Sequence, residues 1–177
     1  MQNQHRTATE LSDDEIKFIA KVAGEVEKDN QDIDYQQLIQ QAPTDNKGAF
    51  WYQLAVALSE LPSNQSLDMR ENGRLQVSLG ILNEMLKTNV DFPQIWATKI
   101  AVLKYLAHGH WAYSNGLSLT TQQEETQRHR HFTQKYADAL LSTTKRATKQ
   151  FPNDPWFAFE YEEAREDFSV WASDTEK

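Results

Sequence analysis

Apolar residues in this chain recur at intervals of three and four, which is the spacing of one face of an α-helix. No segment of useful length alternates apolar and polar residues at period two, the pattern of a half-buried strand. Glycine and proline number only six and five in 177 residues, which is few for an all-β fold rich in tight turns. These features predict an all-α fold with six to seven helices in antiparallel hairpins.

Helix start signals place the first elements. Ser12-x-x-Glu15 forms a capping box, in which each side chain accepts a hydrogen bond from the other residue's backbone N–H. Asp32 or Asp34 is expected to cap the second helix, and Thr44 or Asp45 the third. The helices are expected at 13–28, 35–41, 48–61, 67–88, 92–115, 122–150 and from 155 onward.

The later helix boundaries have their own signals. Gly116 suits a left-handed stop for the fifth helix. Thr121-x-x-Glu124 is a second capping box and opens the sixth helix, whose turns over 122–131 read as polar all round. Asn153 or Asp154 caps the seventh helix, with Pro155 in its first position.

The length of 177 residues indicates one domain. A chain of this length also buries enough surface on folding to be stable without a metal or a disulfide. We expect that domain over 11–172, with disordered tails at 1–10 and 173–177. There is no cysteine, which excludes disulfides and thiol chemistry. We find neither an apolar leader nor a run of about 18 apolar residues, so we expect no membrane contact and a cytoplasmic protein.

Three proline corners precede tryptophans, and at each of them a tryptophan is expected to fill the gap between two packed helices. Trp51, Leu54, Ala55 and Leu58 follow the spacing of one helical-repeat consensus, and Ala147 with Pro152 matches the end of such a repeat. The chain therefore resembles the tetratricopeptide-like superfamily. The resemblance implies a right-handed superhelix that presents surfaces to partners, and an irregular helical bundle is the alternative.

Charge is distributed unevenly along the chain. The net charge is −8, yet residues 120–150 hold six bases and three acids, whereas 10–34 and 151–177 each carry −6. The first interpretation is a solvated helix face whose charge complements the acidic ends. The alternative is a nucleic-acid-binding protein that uses helix 121–150, with Arg128, Arg130 and Lys135 on phosphates.

Four histidines form two pairs, His108 with His110 and His129 with His131. If the fifth and sixth helices form an antiparallel hairpin, one histidine of each pair can meet the other. Residues two apart on a helix point to nearly opposite sides, so each pair offers one ligand and no metal site is predicted. A pH-sensitive surface is the favoured interpretation, because Arg128 and Arg130 flank His129.

No phosphate loop, Gly-x-Ser-x-Gly or His-Glu-x-x-His occurs, so we predict no enzyme and no cofactor. An enzyme of unrecognised type would show itself by a deep pocket lined with perturbed titratable groups. The leading hypothesis is a non-enzymatic protein–protein interaction module that binds a protein or peptide. Aromatic residues beyond the needs of the core, Trp111, Tyr113 and Trp171, are the predicted anchors, since tryptophan and tyrosine dominate interface hot spots. The oligomeric state stays open.

Overall fold

The computed structural model describes residues 11–27, 34–43, 48–60, 73–88, 91–117 and 123–175. These residues form seven α-helices and no strand, which confirms the all-α prediction. The helices are α1 (Asp13–Glu27), α2 (Tyr35–Gln40), α3 (Ala49–Ser59), α4 (Gly73–Met85), α5 (Pro93–Leu117), α6 (Gln123–Gln150) and α7 (Pro155–Thr175). None of these helices is long and apolar enough to cross a lipid bilayer.

Side-chain caps set three of the helix starts as the sequence predicts. At α1 the Ser12 N–H donates to Glu15 Oε2 at 2.7 Å, and the Glu15 N–H donates to Ser12 Oγ at 3.3 Å. Asp34 accepts from the first backbone N–H groups of α2. Asp154 accepts from the Trp156 N–H at 3.0 Å, so Asp154 rather than Asn153 caps α7. These bonds satisfy N–H groups that the first helical turn leaves unpaired.

Other expected boundaries differ from the structure or lie outside it. Gly116 is helical and its φ is not in the left-handed region, so α5 continues to Leu117 instead of stopping there. Helix α7 runs to Thr175, past the predicted domain end at 172, because no proline or glycine interrupts it. The capping candidates Thr44, Asp45 and Thr121, the N-terminal tail and the expected start of α4 at 67 lie outside the described residues.

Helices α5 and α6 form the longest antiparallel hairpin, and α7 packs on α6. Along the chain α3 contacts α4, and α4 contacts α5; in addition α1 contacts α3, α2 contacts α4 and α3 contacts α5. Lys104 of α5 also reaches α7, where its Nζ lies 2.9 Å from Glu160 Oε2 and 3.0 Å from Glu163 Oε2. From α3 onward each helix packs mainly against its neighbours in sequence, whereas α1 packs on α3 and α2 packs on α4.

Two apolar clusters hold these helices together. The smaller joins α1, α2 and α3 through Val22, Val26, Leu38, Phe50, Leu54 and Leu58. The larger runs through α4 to α7 and includes Leu82, Trp96, Leu103, Leu140 and Phe157. Trp96 fills a helix corner as expected, but Trp156 is 40% exposed and Phe157 takes the buried position beside it.

Candidate functional site: a groove over α2, α3 and α4

A groove of about 560 Å³ lies where α2, α3 and α4 meet. Its apolar walls come from Ile39 of α2, Trp51 of α3, and Val77, Ile81 and Met85 of α4. Polar side chains complete the lining, namely Gln36, Gln76, Glu84, Lys87 and Thr88. Binding sites of this size, apolar with a few polar groups, are typical of proteins that enclose a small ligand or the side chains of a peptide.

Helix α4 makes the groove because it carries two apolar rows. Leu75 and Leu82 are buried in the core. Val77 and Ile81, four residues apart and therefore on one face of the helix, are half-buried; they pack against the edge of the smaller cluster and also line the groove. Gly80, also in the lining, has no side chain to fill the space, and a Cβ built there meets nothing within 4 Å.

Polar bonds fix the wall formed by α3 and α4. Ser78 Oγ, fully buried, donates to the carbonyl oxygen of Ala55 at 2.8 Å. Arg74 Nη1 donates to the carbonyl oxygens of Leu58 at 2.7 Å and Glu60 at 2.8 Å. The last carbonyls of a helix have no partner within it, so Arg74 satisfies groups that α3 leaves unpaired. The two helices are thus tied together directly beside the groove.

Trp51 gives the groove an aromatic surface, while its indole nitrogen is buried. Its ring packs edge-on against Phe50, with the centroids 5.3 Å apart. Its Nε1 is buried and has no hydrogen-bond partner among the described residues. A buried unpaired donor costs about 1–3 kcal/mol.

The rim of the groove is polar but close to neutral. Glu84 and Lys87, three residues apart on α4, form an exposed ion pair with Nζ 2.6 Å from Oε1. These two are the ionisable residues among the described groove lining, and that lining contains no histidine. A neutral rim around apolar walls favours recognition by shape and burial over recognition by charge.

The three predicted aromatic anchors lie elsewhere. Trp111 and Tyr113 of α5 are half-buried and pack against the larger core cluster. Trp171 of α7 is only 5% exposed, so its side chain is core material rather than a surface anchor. None of the three lines the groove, whose tryptophan is Trp51.

The two histidine pairs contribute one residue each to a buried contact, as the hairpin geometry predicts. His110 Nδ1 and His129 Nδ1 lie 2.8 Å apart, so one ring donates and the other accepts. The His110 ring stacks on Phe132 and Tyr136, with centroids 4.9 Å and 5.6 Å away. The Tyr113 ring lies 4.5 Å from that of His129. His108 and His131 are exposed.

Burial controls the protonation of this pair. Desolvation lowers the pKa of His110 to about 4, with smaller effects from His129 and the cations Arg128 and Lys135. Burial also lowers the pKa of His129, while Glu125 opposes the shift and Arg128 adds to it. The lowered pKa of His129 agrees with the sequence prediction, but the pair is buried rather than part of a pH-sensitive surface, and burial rather than the flanking arginines is the main cause.

The structure does not place the three predicted phosphate contacts on one face. Arg128 and Lys135 are exposed and seven residues apart, on the same side of α6. Arg130 is half-buried on another side, and its Nε has no hydrogen-bond partner among the described residues. Within the described part of the chain, no three His, Asp or Glu side chains come together as a metal site would require.

The sequence interpretation missed the groove because it counted Trp51 as core and followed only the leucine row of α4. The available signal was the second row, Val77 and Ile81, which a single buried face does not need. The short helix α2 gave little indication that Ile39 would reach the same place. No family model matches the chain, nor does any curated protein or solved structure.

Proposed function

We propose that this protein is a non-enzymatic interaction module, a helical-repeat-like scaffold that binds a protein or peptide partner in the α2–α3–α4 groove. The groove itself carries the proposal, since its walls are apolar and its volume of about 560 Å³ accommodates apolar side chains. A partner helix or extended segment would insert its apolar residues between Ile39, Trp51 and Ile81. Recognition of an apolar helix face by a groove is a recurring mode of peptide binding.

The order of helix contacts supports the repeat-like part of this proposal. Consecutive helices pack together from α3 to α7, and α1, α3 and α5 also contact one another in turn. Stacked helical repeats have this nearest-neighbour packing, and they mostly serve as surfaces for partners.

The ionisable groups near the groove support binding rather than catalysis. Among the described lining residues these are Glu84 and Lys87, which neutralise each other at the rim. The buried histidine pair lies in the α5–α6 hairpin, and neither histidine lines the groove. An acid–base catalyst must reach its substrate within hydrogen-bond distance, and the lining offers only this surface ion pair.

A substitution that fills the groove with a large side chain tests the proposal. Gly80→Trp fills the space that the missing side chain leaves, and its Cβ clashes with nothing within 4 Å. Gly116→Trp is the matched control, since Gly116 is exposed in α5, lies outside the groove lining and has the same free space. A displayed peptide library is selected on the natural protein, and the affinity of the selected peptides is measured for both variants.

We expect one family of apolar peptides to be selected, with affinity at least about tenfold lower for Gly80→Trp than for Gly116→Trp. A tenfold loss corresponds to the burial of roughly two methylene groups. Far-ultraviolet circular dichroism verifies that both variants keep their helices. The proposal would be overturned if the selected peptides bound the Gly80→Trp variant as tightly as they bind the natural protein. It would also be overturned if the selection enriched no family of related peptides.

A further inference from the structure

One side of α6 carries a row of unneutralised cations, which we call the basic face. At about 100° of rotation per residue, five cations fall within roughly a third of the helix circumference. All five are exposed: Arg128, Lys135, Lys145, Arg146 and Lys149. His131, Ser142 and two acids, Glu124 and Asp138, share this side of the helix, so the positive charge exceeds the negative by three.

Four of the cations elsewhere in the described residues pair with carboxylates. Lys17, Lys87, Lys104 and Arg165 each have one or two carboxylate oxygens within 4 Å. No cation of the basic face has such a partner among the described residues, although the protein as a whole carries a charge of −8. The positive charge of this face is therefore offset only in part, by Glu124 and Asp138, and none of its five cations forms an ion pair within 4 Å among the described residues.

Aromatic rings hold three of these cations in place instead. Arg128 Cζ and Lys135 Nζ lie 5.7 Å and 5.9 Å from the centre of the Phe132 ring. Arg146 Cζ lies 5.4 Å from the Trp96 ring. A ring restricts a cation through its quadrupole but leaves the full charge, whereas a carboxylate would cancel it. Binding a carboxylate then costs less side-chain entropy than it would for a freely rotating lysine or arginine.

We propose that the basic face of α6 is a docking surface for an acidic α-helical segment of a partner protein. Residues 128, 135, 142 and 149 recur at intervals of seven, the repeat of a helix–helix seam, and drift by only about 20° around α6 at each interval. The row is about 31 Å long, so a helix of about 21 residues with acids at the same interval would match it. This surface is independent of the groove proposed above, because none of its residues lines that groove.

A nucleic acid fits this face less well. Helix α6 is flanked by α5 and α7 over much of its length, so it is not free to enter a major groove of about 12 Å. Single strands need exposed aromatic platforms, and Phe132 lies beneath Arg128 and Lys135. A long polyanion would also extend beyond the basic face into the field of a protein with net charge −8.

Fluorescence anisotropy tests the proposal with the full chain at about 100 mM salt, where screening still allows contacts at short range. The probe is a labelled helical peptide of about 21 residues with glutamate at heptad seam positions. A scrambled peptide of the same composition and charge is the matched ligand control. Single-stranded and duplex DNA of similar length are compared under the same conditions.

Lys135→Glu combined with Lys149→Glu reverses two charges of the basic face. Lys17→Glu combined with Lys21→Glu on α1 makes the same change in net charge on exposed positions elsewhere. We expect the first pair to weaken peptide binding about tenfold or more, as the loss of a few exposed ion pairs predicts, and the second by less than about threefold. Lys135→Gln with Lys149→Gln should give an intermediate loss, which separates removal of charge from repulsion.

Four outcomes would overturn this proposal. Equal affinity for the scrambled peptide would show attraction by charge alone, and tighter binding of either DNA would assign the face to nucleic acid. A dimer in solution that the α6 pair of substitutions disrupts would make a second copy the occupant. Failure of the acidic peptide to bind even at about 10 mM salt would remove the docking surface altogether.

Discussion

The two ends of the α5–α6 hairpin are held together by different physics. Toward the end far from the connection, Ile100 and Leu103 of α5 and Leu140 of α6 are buried in the larger apolar cluster, and the buried Thr144 hydroxyl donates within its own helix to the Leu140 carbonyl oxygen at 3.0 Å. At the end near the connection, the buried residues include His110 of α5 and His129 of α6. In one pair of helices, the stability of one end therefore depends on the packing of apolar side chains, and the stability of the other depends on hydrogen bonds and protonation.

Several buried polar groups at this polar end are hydrogen-bonded. Thr133 Oγ1, 1% exposed, donates to the carbonyl oxygen of His129 at 3.0 Å, and the two imidazoles bond to each other. Gln76 of α4 makes a hydrogen bond with Tyr136, whose pKa burial raises and this bond partly lowers. Buried polar groups are tolerated when each has a partner, and they become costly when one partner is removed or charged.

The largest expected effect is a loss of stability when a leucine of the aliphatic end is truncated. Leu140→Ala removes a fully buried side chain from the larger core and leaves a cavity. We expect a loss of about 2–5 kcal/mol in the free energy of unfolding, the range for leucine truncation in a packed core. Urea denaturation at neutral pH measures it, with Ser142→Ala at an exposed position of the same helix as the control. A loss below about 1 kcal/mol would mean that this end is not tightly packed.

The second effect acts on the polar end through pH. The folded-state pKa of His110 is about 4, and the unfolded value is about 6.5. Because the folded value is lowered, the unfolded chain takes up the proton first as the pH falls. Stability is therefore complete above pH 6.5 and is lost as the pH falls toward 4, by about 3 kcal/mol for this group. The lowered pKa of His129 acts in the same direction.

A double variant isolates that effect from the titration of surface carboxylates. His110→Leu with His129→Leu replaces both partners by apolar groups, a change that costs little when both sides of a bond are removed. Denaturation at pH 7, 5.5 and 4 should show the natural protein losing stability relative to this variant. Parallel pH profiles for the two proteins would mean that the histidine pair carries no proton-linked free energy.

The same contrast explains which parts of the fold could be predicted from the sequence. The aliphatic end follows from spacing, because Ile100 and Leu103 lie three residues apart on one face of α5 and Leu140 belongs to the apolar stripe of α6. The turns over 122–131 read as polar all round, yet Thr126 and His129 are buried there. Hydropathy scores a residue by type, whereas the burial of His129 depends on a partner 19 positions away that satisfies its ring nitrogen.

The groove and the basic face were predictable to different degrees. The excess of bases in residues 120–150 follows from composition, but the contacts of Arg128 and Lys135 with the Phe132 ring depend on side-chain placement in the folded helix. The groove depends on α2, α3 and α4 meeting, and no single helix carries its pattern. Helix starts were easier to predict from the sequence, since a cap such as Ser12 with Glu15 involves only residues three positions apart.

The smallest effect concerns the last turns of α5, close to the polar end of the hairpin. A glycine that ends a helix in the left-handed region resists replacement, whereas a glycine within a helix is stabilised by alanine. Gly116 is helical, and a Cβ there meets nothing within 4 Å. Gly116→Ala should therefore raise the free energy of unfolding by about 0.5–1 kcal/mol, measured by thermal denaturation.

Gly80→Ala within α4 serves as the positive control, since it lies mid-helix with the same free space. Destabilisation by Gly116→Ala alone would restore the left-handed stop that the sequence suggests. Stabilisation by both would show that α5 reaches Leu117 as continuous helix, so that the histidine pair lies inside the hairpin rather than at its frayed edge.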